Sequence, residues 1–199
     1  MRIWIIAHGS RARPPGIVIL LAVCCAMLGP VPSIGSDTLP DVVKGRREAM
    51  KAMANACKKI AGMFEGKLPY DAPAFKRWAD TIKAHSGAAL MAEFPAASLG
   101  PPSGAKYEID KSRDEFDALA RKVASFASVI SAAAEQAPDD ITPQMRMGAG
   151  MSTIGSSLLG KRKIAAGEED ISKLPAEHAF HLLLQECSAC HAKFREEIH

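Results

Sequence analysis

The sequence predicts an all-α protein, an antiparallel four-helix bundle with a long connection before its last helix. Three observations carry that expectation. The chain has 199 residues, is rich in alanine, leucine and methionine, and is only 6% aromatic, a composition that favours helix over sheet. Four long stretches space their apolar residues by three and four, as one helix face requires. Turn signals rich in proline and glycine separate the first three of them. The length suffices for one domain with a full core.

The first residues read as a leader. Arg2, Arg11 and Arg13 occur with no acid, the apolar run Ile17–Leu28 follows, and Ser33 and Gly35 stand before Ser36. That is the layout of a secretory signal peptide over residues 1–35, and the apolar run is short for a membrane span. A retained anchor is the alternative. Without the leader the chain balances at 22 basic and 22 acidic residues, which indicates no basic face for nucleic acid. Cys24 and Cys25 leave with it, so Cys57, Cys187 and Cys190 remain. An odd cysteine count in an exported chain argues against ordinary disulfide pairing.

The bundle is expected over residues 36–199. The first helix runs from about Leu39 to Glu65 with the stripe Val43, Met50, Met53, Cys57, Ile60 and Phe64. Gly66 and Pro69 stop it. Asp71 caps the second, which carries Pro73 in its first turn and lines its inner face with Phe75, Trp78, Ile82 and Leu90. "FPAASLGPPSG" reads as a loop. The third runs from about Lys111 to Gln136 through Phe116, Leu119, Val123, Phe126 and Ile130. The last runs from about Pro175 to Glu197 through Phe180, Leu183, Leu184, Cys187 and Phe194.

The connection over residues 138–174 is far longer than the ~2–8 residues usual in bundles. A short extra helix is expected around Gln144–Leu159, weakened by its glycines. Two patterns there read as decoys. "GSSLLGKR" has Arg162 where a phosphate loop needs Ser or Thr, and no strand precedes it. Met145, Met147 and Met151 read as adaptable packing rather than a soft-metal site.

The chemistry gathers in "CSACH", Cys187 to His191. On a helix these two thiols and the imidazole point to one side. Thiols so placed add across the two vinyl groups of a haem, and the adjacent imidazole reaches the iron as proximal ligand. A disulfide between Cys187 and Cys190 would be strained within a helix. A thioredoxin-like pair needs a preceding strand. Zinc needs a second ligand pair, which Cys57 with His178 or His181 would have to supply. Haem c, one per chain and covalent, is the expected cofactor.

This arrangement, with "KGRREAMKAM", "GKLPYD", "EFP", Phe116 and "CSACHAKFR", resembles the class II cytochromes c, the cytochrome c′ family. The resemblance implies that Arg46 approaches a haem propionate, that Met50 lies over the distal face, and that Arg195 stands near the proximal face. It departs where "YEIDKSRDEF" offers Asp110 in place of the family's common tryptophan. The "MK" pair at Met50–Lys51 is similar to the low-spin branch, so Met50 is expected as sixth ligand to iron held by His191.

That expectation makes the chain a periplasmic electron carrier acting with redox partner proteins, with a homodimer as a further possibility. The alternative is a five-coordinate protein binding nitric oxide or carbon monoxide. No acid–base pair is legible beside a distal site, so no enzymatic role is expected.

Overall fold

The computed structural model describes residues 38–148 and 170–196, all within one compact unit. The leader, the "GSSLLGKR" stretch and Met151 lie outside the described residues.

Helix α1 spans Leu39–Phe64, with Pro40 in its first turn, where a missing N–H costs nothing. Gly66 adopts φ +69°, and its N–H donates to Met63 O at 3.2 Å, which turns the chain out of the helix. Asp71 caps α2, Ala72–Ala84, by accepting from Ala74 N at 2.6 Å. Both boundaries agree with the sequence reading. Gly87, at φ +57°, then starts a short helix α3, Ala88–Ala92. Leu90 is buried, but it sits on α3 and not on the face of α2 where the spacing had placed it.

The third long helix lies close to where the sequence places it, behind a short helix that the sequence reading lacks. Helix α4, Glu108–Lys111, ends at Ser112, whose φ −120° and ψ 44° are not helical, and α5 resumes over Arg113–Glu135. Ser112 serves both ends: its N–H donates to Glu108 O and its carbonyl accepts from Phe116 N. Helix α6 spans Ala176–Phe194. Helices α1, α2, α5 and α6 form the four-helix bundle, packed in the order α1–α2–α5–α6. Phe75, Phe116, Ile60, Ile82, Ile130 and Leu183 are fully buried between them. No strand is present among the described residues beyond an isolated bridge between Ala105 and Arg195.

At one end of the bundle α1 and α6 close on each other, with the Phe64 and Phe180 rings 5.9 Å apart. The start of the connection is fixed at this end. Arg146 Nη1 donates to Phe64 O at 2.6 Å and to Glu177 Oε1 at 3.2 Å, and Met147 N donates to Glu177 Oε2 at 2.8 Å. Met145 is buried in the core. The helix expected from Gln144 does not form in the described part, where residues 143–146 make a turn. Nothing is described beyond residue 148 until Asp170.

Candidate functional site

Towards the other end of the bundle lies a cavity of about 460 Å³, within the ~300–1,000 Å³ range of small-molecule sites. One row of α1 explains its position. Val43, Met50, Cys57 and Phe64 recur about every two turns on the side facing α6. Phe64 meets Phe180, and about two turns on from each stand Cys57 and Cys187, both half-buried on the core. Two turns further along α1, Met50 and Val43 form the cavity wall, opposite Cys190, His191 and Phe194 of α6.

The other wall was not legible in the sequence. Ser103 and Gly104, read there as part of a plain loop, line the cavity together with Ala105. Main-chain bonds tie this loop to the end of α6: Lys106 N donates to Phe194 O at 2.9 Å and Glu196 N to Gly104 O at 2.8 Å. Gly100, at φ +79°, lies so close beneath the Tyr107 ring that a Cβ there would collide with it. The run of small residues was the available signal, since it permits close backbone approach. Ile109, beside the departing Asp110, is buried and also faces the cavity, while Asp110 is exposed.

Arg46 is only 5% exposed, although a guanidinium is seldom buried unpaired. Its Nη2 donates to Ser98 O at 3.2 Å and to Ser98 Oγ at 3.3 Å, and its charge lies 4.3 Å from the Phe94 ring centroid. Burial pulls its pKa down, Glu93 acting against that, yet an arginine stays charged at any ordinary pH. Its Nε and Nη1 have no hydrogen-bond partner among the described residues. Arg47 differs: it is exposed, and its Nη2 donates to Pro102 O at 3.4 Å.

His191 stands in the last turn of α6, where its carbonyl accepts from Arg195 N at 3.1 Å. Partial dehydration of the ring, and then the Arg195 cation, hold its pKa below the usual histidine value. The neutral, lone-pair-bearing imidazole is therefore favoured at neutral pH. Burial pushes the Cys190 thiol up to about 11 and raises that of Cys187 as well, so both are thiols rather than thiolates. Cys190 faces the cavity directly; Cys187, one turn earlier, packs beside it on the core.

The structure thus brings Arg46, Met50, Cys190, His191 and Arg195 to one cavity, while Cys187, one turn before Cys190 on the same helix, packs on the core and is not among the lining residues. These residues fit a haem. The buried, half-satisfied Arg46 is suited to a carboxylate, the apolar wall to a macrocycle, and the imidazole to iron. Among the described residues no group of three or more His, Cys, Asp or Glu is clustered as a metal site, which leaves the zinc alternative without a ligand set there.

The fold has known counterparts. Cytochrome c prime from Shewanella frigidimarina shares 19% identity with a TM-score of 0.53, covering 81% of this chain and 99% of its own. The nitric oxide complex of a variant of cytochrome c prime from Alcaligenes xylosoxidans shares 24% identity, with a TM-score of 0.54 and coverages of 80% and 98%. A cytochrome c′ described by its ligand-controlled dimer dissociation shares 16% identity, with a TM-score of 0.54 and coverages of 81% and 99%. No curated protein matches the chain. These relatives are cytochromes c′ and give no support to the methionine-ligated branch expected from the sequence. A family model described as Cytochrome C′ matches residues 41–155, more than half of the chain and ending before the CSACH motif, and on that match the chain belongs to the cytochrome c′ family, whose members carry one covalently attached haem c.

Proposed function

We propose that this protein holds its haem in the cavity between α1 and α6 and binds nitric oxide or carbon monoxide there, with Met50 packed over the distal face without ligating. The observation that carries the proposal is the single cavity shared by His191, Cys190, Met50 and Arg46. When bound, the group supplies an iron that changes oxidation state and accepts a diatomic gas. The chain supplies the rest. Cys187 and Cys190 fix the macrocycle by thioethers, and His191 presents a neutral imidazole. Arg46 pairs with a propionate through its unpartnered N–H groups, and partial burial, followed by the Arg195 cation, disfavours a proton on His191. Met50, Ile109, Phe116 and Phe194 exclude water from the site.

Gas binding is the favoured reading because one relative of this fold is known as a nitric oxide complex. A second reading, electron transfer with Met50 as sixth ligand, is favoured by one observation: Met50 lines the same cavity as His191. We assign no catalytic role. Residues 1–35 are proposed as a signal peptide removed on export, which puts the 36–199 bundle in the periplasm. A second copy of the chain is the proposed partner, by analogy with the relative whose dimer responds to ligand. Redox partner proteins complete the set under the electron-transfer reading. Carbon monoxide titration of the reduced protein separates the two: ready binding by the native protein supports the first, and binding only after Met50→Ala supports the second.

A further inference from the structure

Glu93 lies immediately before Phe94, the residue whose ring stacks on Arg46. Its Oε2 is buried and has no hydrogen-bond partner among the described residues, and neither do Nε and Nη1 of Arg46. The acid and the cation are near enough to act on each other's charge, yet they form no salt bridge among the described residues. Four charged or titratable groups surround this point. Arg46 and Arg47 come from α1, His85 from the end of α2, and Arg113 of α5, whose Nη2 donates to Phe94 O at 2.8 Å. A half-buried carboxyl with one buried, idle oxygen, one residue from the ring that stacks on Arg46, responds to a change of charge at the haem.

We propose that Glu93 exchanges a proton with solvent in step with the oxidation state of the haem iron, through the Arg46 it faces. As one electron arrives from an external one-electron donor, the site loses a positive charge, and Glu93 takes one proton from water onto a carboxylate oxygen. On oxidation both leave. No bond other than that O–H forms or breaks. Burial already lifts the Glu93 pKa above the ordinary carboxylate value, with His85 and Arg46 opposing it, so the exchange window is shifted upward from that value. The direction is fixed: the reduced protein binds the proton more tightly, so the midpoint potential falls as pH rises through the window and is flat above it. The proposal rests on the haem reading above.

The test is a spectroelectrochemical titration of the holoprotein from acid to neutral pH, on the native chain and on Glu93→Gln. The expected result is a slope approaching one proton per electron in the native protein, lost in Glu93→Gln with haem content unchanged. A slope that survives Glu93→Gln overturns the proposal and assigns the proton to a propionate or to His85. If Glu93→Gln does not fold, reduced-minus-oxidised infrared spectra of the native protein decide: a protonated-carboxyl band must appear on reduction, and its absence overturns the proposal. A purified protein without haem would instead defeat the haem reading itself.

Discussion

The Phe64 and Phe180 rings lie 5.9 Å apart with their planes inclined by 38°. This pair sets the register in which α1 faces α6, and it holds the closed end of a seam whose other end opens into the cavity. Both rings are at least nine-tenths buried. Phe180→Ala is expected to cost roughly 3–5 kcal/mol, as aromatic truncations in cores do. Thermal unfolding of the holoprotein should show a clear loss of Tm, with the absorption maxima of the haem unmoved because the cavity lies further along the seam. An unchanged Tm would mean that the two helices are not held together there.

The attachment reading separates the three thiols. Replacing both Cys187 and Cys190 by Ala should allow acid–acetone to extract all the haem, while either single variant keeps it bound. Cys57, whose thiol burial pushes up to about 12, is packing only. Cys57→Ala should therefore keep both thioethers, and haem lost from that variant would contradict the assignment.

Arg46 is expected to behave differently with and without haem. Its Nε and Nη1, without hydrogen-bond partners among the described residues, make it a buried, poorly satisfied cation in the haem-free chain. Removing such a charge in favour of an apolar side chain is often neutral or stabilising. Arg46→Met should therefore leave the Tm of the haem-free protein equal or higher and shrink the gain in Tm on haem attachment. A large loss of stability in the haem-free variant would show that the Ser98 and Phe94 contacts alone justify the burial.

The pH dependence of stability has one marker away from the cavity. Asp80 accepts from Ser131 Oγ at 2.6 Å and from Lys76 Nζ at 2.9 Å, and these bonds, Ser131 first, hold its pKa below the usual value. A depressed carboxylate pKa stabilises the fold above the unfolded-state pKa and loses that contribution as pH falls through the folded-state value. Asp80→Asn should lower Tm at neutral pH, and the gap from the native protein should close below the carboxylate range. A gap constant with pH would mean that the charge of Asp80 is not what binds α2 to α5.

The connection is anchored by Arg146, far along the bundle from the cavity residues. Arg146→Ala removes its bonds to Phe64 O and Glu177 and should cost about 1–3 kcal/mol. Urea unfolding should shift accordingly while the visible spectrum stays as it is. A changed spectrum would show that this segment shapes the haem site.

How far the sequence reached depended on whether a feature is local. The ends of α1 and the cap of α2 were legible because Gly66 and Asp71 act within a few residues of themselves. The CSACH motif was legible because helix geometry alone puts Cys187, Cys190 and His191 on one side. The short helix α4 and the break at Ser112 were not, since Ser112 is an ordinary residue by helix propensity. Nor was the Ser103–Ala105 wall, whose role rests on main-chain bonds to residues some ninety positions away. Arg46 was picked out by resemblance, but its burial against Phe94 and Ser98 came only from tertiary structure. Val43 and Met50 read as one core stripe with Cys57 and Phe64, whereas both border the space that the haem is proposed to fill.

The most direct test of this account is the absorption spectrum of the purified holoprotein, oxidised and reduced, with and without carbon monoxide. The account predicts a covalent c-type haem, a high-spin oxidised form without the near-infrared band of a methionine–iron bond, and ready binding of carbon monoxide on reduction. A low-spin spectrum carrying that band, abolished by Met50→Ala together with resistance to carbon monoxide, would contradict it.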